Sequence, residues 1–234
     1  MKNLYLYINI GSFIIPFLFS FHPKLQFYKK WKYFFPATAI MMAFYISWDI
    51  VFTNVGFWGF NDAYITGYKL FNLPIEEWLF FICIPYACLF TLHSLSYLLP
   101  NLTFNKQHTS IIHTLLISTM IVCLWYYYDR WYTLVNFTYT ILILGLVYNK
   151  MPTRLGRFLP TFFIILLPFL LVNGILTGSF IEDQVVWYDH TQNMDIRVFT
   201  IPVEDAFYAL GMLLTVYVLM EWFESRSKKN KSDL

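Results

Sequence analysis

The chain has 234 residues, of which 58% are hydrophobic and 22% aromatic, while only 13% are charged. Soluble domains carry about 25% charged residues, so polar surface is too scarce for a water-soluble globule, and a disordered, collagen-like or small disulfide-stapled chain is excluded as well. The formal net charge of +2 gives no reason to expect a nucleic-acid partner, and composition leaves an integral membrane protein.

A helix needs about 20 mostly apolar residues to cross the hydrocarbon core. Seven runs qualify: residues 4–21, 35–54, 76–99, 110–128, 131–149, 159–178 and 203–223. Strand-like alternation is absent, and a bilayer tolerates no unpaired backbone, so each run is expected to be helical. The first run follows Lys2 and ends in Ser20-Phe21-His22-Pro23-Lys24 without a small-residue cleavage site, so it reads as a retained helix rather than a signal peptide. A basic loop, Lys24 to Lys32, leads to the second run, which contains Asp49. A long loop with Trp58-Gly59-Phe60-Asn61 leads to the third, which opens Leu73-Pro74-Ile75-Glu76-Glu77-Trp78-Leu79-Phe80-Phe81.

The fourth run stands alone. After it the order recurs: a span, a basic loop from Lys150 to Arg157, a span containing Asn173, and a long loop with Trp187-Tyr188-Asp189-His190. The last span then opens Ile201-Pro202-Val203-Glu204-Asp205-Ala206-Phe207-Tyr208. Pro-[Ile/Val]-Glu-[Glu/Asp] thus begins a helix twice. The expected fold is all-α and membrane-integral, with seven transmembrane helices. Residues 1–105 form one three-helix repeat, 106–129 a linking transmembrane helix, and 130–234 a second repeat with a basic cytoplasmic tail. An odd linker makes the repeats parallel. With the N-terminus outside and the C-terminus cytoplasmic, 12 of the 16 lysines and arginines fall on the inner side, as the positive-inside rule requires of a cell (inner) membrane protein.

Ionisable residues inside a span are functional candidates by default. Asp49, Glu76, Glu77, Glu204 and Asp205 are expected at one depth, with Asn173 standing where the second repeat would carry a second Asp49. Proline and acids at a helix start also have a purely structural reading; their duplication favours a site. Asn9 and Asn136 read as hydrogen bonders between helices. His93 and His113 read as buried or interfacial, with haem ligation as the alternative, and Gly174 with Gly178 as a helix-packing pair. Cys83, Cys88 and Cys123 lie inside spans and form no Cys-x-x-Cys pair, so packing explains them.

No span carries the internal lysine that a retinal Schiff base needs. Only five histidines are present, in no di-iron pattern, and there is no Gly-x-Gly-x-x-Gly turn, P-loop or Asp-rich diphosphate motif. Paired carboxyls, amides and aromatics remain, which suit proton transfer to and from an apolar substrate.

Two Pro-[Ile/Val]-Glu-[Glu/Asp] motifs, each after a Trp-containing loop, on a seven-span chain of this size resemble the flavin-independent lycopene β-cyclases. Those enzymes are known as two small heterodimer subunits or as fused tandem domains. The resemblance covers nearly the whole chain and implies an enzyme without cofactor or metal. It would cyclise the ψ-ends of lycopene, or a related apolar polyene, to β-ionone rings, giving γ-carotene and then β-carotene. Glu76 and Glu204 are expected as primary acid/base residues, supported by Glu77, Asp205 and Asp49. Trp58, Phe60, Asn61, Trp78, Phe80, Phe81, Asn173, Trp187, Tyr188, Phe207 and Tyr208 are expected around the substrate. Membrane lipid is a partner, and a homodimer or association with other carotenoid enzymes is a further option. Competing readings are another cation-forming carotenoid enzyme (a hydratase or a C50 cyclase) and a proton-coupled small-solute transporter.

Overall fold

The computed structural model describes residues 2–232. Among them run seven α-helices: α1 (Leu4–Phe19), α2 (Trp31–Asn54), α3 (Ile75–Leu98), α4 (Lys106–Tyr126), α5 (Trp131–Lys150), α6 (Pro152–Leu176) and α7 (Glu204–Ser232). Six are long and apolar enough to cross a membrane. The expected first span is the exception. Its helix has 16 residues, about 24 Å at 1.5 Å per residue, short of a hydrocarbon core of about 30 Å.

Local chemistry sets several boundaries. Pro74 is extended (φ −62°, ψ 147°), and α3 starts on the next residue with Glu76 and Glu77 in its first turn, where the helix dipole favours acids. Asn105 caps α4 by accepting the His108 backbone N–H at 2.8 Å. The stretch from Lys150 to Arg157, expected as a loop, is almost wholly helical. Only Met151 (φ −143°, ψ 50°) separates α5 from α6, because Pro152 opens the new helix at once. The Gly174–Gly178 pair does not line one helix face. Gly178 has φ +108° and follows the end of α6, where Ser179 N–H returns to the Gly174 carbonyl at 2.7 Å. The last residues of the expected basic tail, 233–234, and the side chain of Lys231 lie outside the described residues.

The long loops hold short strands that a helical reading of the sequence passes over. β1 (Trp58–Phe60) pairs antiparallel with β4 (Val186–Tyr188), joining the two loops in the register Trp58↔Tyr188, Gly59↔Trp187, Phe60↔Val186. Within the first loop β2 (Lys69–Leu70) pairs with β3 (Leu73–Pro74); within the second β5 (Arg197–Val198) pairs with β6 (Ile201–Pro202). Phe71 and Asn72 turn the first hairpin with φ of 50° and 61°, the two positive values a tight hairpin twist calls for.

The internal repeat is exact enough to follow bond by bond. Asn61 N–H bonds the Val185 carbonyl at 2.9 Å, and Asp189 N–H bonds the Phe57 carbonyl at 2.8 Å. The Asn61 side chain accepts from Ala63 N–H at 3.0 Å, and the Asp189 side chain accepts from Thr191 N–H at 2.8 Å. Ile75 N–H bonds Tyr68 O at 2.9 Å, and Val203 N–H bonds Ile196 O at 3.0 Å. Each partner lies 128 residues from its counterpart. At that spacing Gly59 corresponds to Trp187, so the two Trp-containing signposts are offset by one residue from the alignment their tryptophans suggest.

Helices α1 and α3 pack as a pair, as do α5 and α7, and α2 packs along α7. The core between them is rich in large rings, among them Tyr45, Phe81, Tyr86 and Phe137. At the end remote from the loops, Lys30 pairs with Glu224 at 2.5 Å and Arg154 with Glu221 at 3.2 Å, tying the starts of α2 and α6 to the last turns of α7.

Candidate active site

Beneath the β1–β4 ribbon lies a cavity of about 630 Å³. Its walls come from α1, α3, α6 and α7, and its polar groups gather at the loop end, where α3 and α7 begin. Three carboxyls line it: Asp49, Glu77 and Asp205. All three residues are buried, at 2%, 8% and 5% exposure, in an interior where unpaired charge is expensive.

Each carboxyl has its own donors. Glu77 Oε2 accepts the Tyr5 hydroxyl at 2.5 Å. Asp205 accepts three bonds: Tyr132 at 2.6 Å, Asn173 at 2.7 Å and Tyr188 at 3.1 Å. Asp49 Oδ1 accepts the Trp58 indole N–H at 2.5 Å and the Thr53 hydroxyl at 3.4 Å. Its other oxygen has no partner among the described residues. Tyr188 sits in the loop beyond the helices. Burial, and after it the Asp205 charge, holds its phenol well above the usual range, so it remains a donor.

Glu76 and Glu204 do not line this cavity. Consecutive helical residues point about 100° apart, and these two face the loops. Glu76 Oε1 accepts Thr66 N–H at 2.6 Å, and Glu204 Oε1 accepts Met194 N–H at 2.6 Å and the Thr133 hydroxyl at 2.8 Å. Their own carbonyls receive Asn9 Nδ2 and Asn136 Nδ2, both at 2.8 Å, so the two asparagines do bridge helices. Each glutamate therefore clamps its loop, its second oxygen unpartnered among the described residues.

The aromatic residues divide in the same way. Trp58, Phe60, Phe80, Tyr188 and Tyr208 line the cavity, with Asn173 beside them. Trp58 meets Tyr132 edge-on at 5.2 Å, and Tyr132 stacks with Tyr188 at 5.9 Å. Asn61, Trp78, Phe81, Trp187 and Phe207 lie outside the lining. Asn61 forms its loop turn, and Trp78 donates to the Leu70 carbonyl at 3.3 Å. Phe81 is buried near Tyr45, and Phe207 packs on Phe137 at 4.8 Å. Trp187 covers Gly59, where a Cβ would lie 2.3 Å from its ring. The two histidines stay apart in role: His93 meets the Leu25 carbonyl at 2.7 Å, and His113 stacks on Tyr148 at 3.9 Å.

Tyr5 and Tyr132 went unmarked in the sequence, where aromatics near span ends pass for interface anchors. Their signal was a second repeated motif. Tyr5 precedes Asn9, and Tyr132 precedes Asn136, by the same four positions. In each half the tyrosine holds the second acid and the asparagine holds the backbone of the first.

A family model described as lycopene cyclase matches residues 2–95 and again 129–223. These are the segments that carry the two Tyr-x3-Asn and Pro-x-Glu-acid pairs. No curated protein and no solved structure matches the chain. Matched twice over most of its length, this membrane protein, internally repeated and built for carotenoid biosynthesis, belongs to the lycopene cyclase family.

Proposed function

We propose that the protein is a lycopene β-cyclase in which Glu77 and Asp205, assisted by Asp49, carry the proton transfers. The observation that supports this is the convergence of three buried carboxyls, two from the first repeat (on α2 and α3) and one from the second (on α7), on one apolar cavity. Glu77 has a single donor and a second carboxyl nearby, which suits the acid that delivers a proton. Asp205 has three donors, which suits the carboxylate that takes one back.

The reaction has no net redox change. Glu77 protonates the terminal C1=C2 bond at C2, leaving a tertiary cation at C1. The C5=C6 bond attacks C1 and closes the ring, moving the charge to C5. Loss of the C6 proton to Asp205 gives the β-ring. The faces of Trp58, Phe60, Phe80 and Tyr208 stabilise the cation and exclude water. Glu76 and Glu204 act one step removed, by clamping the loops that roof the cavity.

The proposal includes seven spans, with α1 as a short one, and two parallel repeats joined by α4. A pseudo-two-fold axis along the membrane normal would pass through the Gly59–Trp187 pair. The loops face outward from the cell membrane, and the basic ends of α2, α6 and α7 lie in the cytoplasm.

Expression in a lycopene-accumulating host, followed by chromatography of the pigments, tests this reading. Ring-bearing carotenes are expected. Unchanged lycopene beside properly inserted protein would rule out the cyclase, and hydroxylated products would instead mark a hydratase.

A further inference from the structure

We infer that the polyene enters sideways from the bilayer, through a slot between α1 and α6, and lies lengthwise in the groove with one end at the carboxyls. The inference rests on the cyclase reading for the identity of its occupant, but the slot itself is a matter of packing.

Most residues lining the cavity are buried or half-buried. The exposed ones are Gly11 and Ile15 on α1, with Pro168 and Leu171 on α6. Ile15 is 61% exposed and Leu171 58%. All four lie on the two helices that flank a single gap. Helix α1 packs chiefly on α3, and α6 on α3, α4 and α5; α1 and α6 are not a main helix pair, and they share a small apolar cluster at the loop end, where Leu4 and Tyr5 join Val172 and Leu176. The gap lies within apolar helices, so its outer side meets hydrocarbon rather than water.

The groove is long as well as open. On α3 its wall runs from Glu77 through Phe80, Ile84 and Cys88 to Thr91, about 21 Å at 1.5 Å per residue. The carboxyls sit only at the loop end. A rod-like apolar chain sliding in along the helices meets the acids with one end and leaves the other toward the remote side. An acyl chain of a lipid also fits an apolar slot, but it gives three buried carboxyls nothing to act on.

Gly11 gives the test. A Cβ there meets nothing within 4 Å, so Gly11→Phe adds bulk at the lip of the slot from an open position, on a helix that carries none of the three carboxyls. Gly145 on α5 is the control, because it too has open space around a Cβ and lies outside the cavity lining. The two variants and wild type are placed in phosphatidylcholine vesicles loaded with lycopene. Ring formation and quenching of tryptophan fluorescence by the polyene are measured against lycopene density.

Gly11→Phe is expected to lower kcat/KM by about tenfold or more and to weaken quenching in parallel, with Gly145→Phe like wild type. Leu171→Phe, on the opposite lip and without a new indole, should repeat the effect if Gly11→Phe inserts poorly. Well-folded slot variants with wild-type kinetics and quenching would overturn the inference, as would an equal loss in Gly145→Phe. Quenching that requires Gly11 in a wild-type protein that closes no ring would keep the slot and remove the cyclase reading. Quenching in none of the proteins would point to lipid alone in the groove and overturn the inference.

Discussion

Glu77→Gln keeps the side chain's shape and removes its proton. Loss of a positioned acid lowers a rate by about 10²–10⁴, and ring-bearing product per unit of inserted protein should fall within that range. Glu76→Gln is expected to stay close to wild type in the same measurement, because an amide oxygen can still accept the Thr66 N–H. Glu76→Ala cannot, and an orphaned N–H in a part-buried loop costs about 1–3 kcal/mol, seen as a lowered melting temperature in detergent. The sequence made the acidic pairs legible as pairs. It did not make the division of labour legible, since either neighbour on a helix can face inward and only the packing of α1 against α3, with Tyr5 reaching Glu77 and Asn9 reaching the Glu76 carbonyl, selects one.

At the scale of elements, runs of apolar residues predicted the long helices well, since length and hydropathy are properties of the sequence alone. The strands could not be read in that way. They are two or three residues long, too short for any alternation, and β1 finds its partner more than a hundred residues away. The start of α3 was legible because Pro74 fixes the backbone before it, whereas Pro152 opens α6 inside a stretch that reads as a basic loop. The close fit of α7 against its neighbours was equally hidden. A Cβ on Gly211 would lie 2.7 Å from Thr140 Oγ1 and 3.0 Å from the Tyr45 hydroxyl. Gly211→Val is therefore expected to force α7 away from α2 and α5 at a cost of about 1–3 kcal/mol, read as lost thermal stability while the carboxyls themselves are untouched.

For the molecule as a whole, the repeat is close in the loops and loose in the membrane. Tyr5 and Tyr132 hold matching acids, and Thr66 and Met194 give matching backbone bonds. Yet α2 lies tightly along α7, while its counterpart α6 packs less closely on α3. One side of the bundle is filled by Tyr45, Trp48 and Tyr139; the other is the cavity. Asp49 and Asn173 express the same divergence. Both reach the site, but Asn173 donates to Asp205, whereas Asp49 accepts from Trp58. The resemblance to tandem cyclases forecast two related halves, and three-dimensional packing decided that they share one chamber.

The crossing of the two loops has a consequence for how such a molecule can be assembled. In a dimer of identical subunits, a residue on the symmetry axis must face its own copy. Here the corresponding positions hold Gly59 and Trp187, and the indole fills the space that a side chain on the glycine would need. Two glycines would leave that slot vacant, and two tryptophans would contend for it. The halves are thus mated like a key and its lock rather than like two coins. If the chain is cut in the connection at 99–105, the two fragments are expected to copurify with each other and not with tagged copies of themselves. Gly59→Trp in the first fragment should break that preference, and Trp187→Gly in the second should restore it.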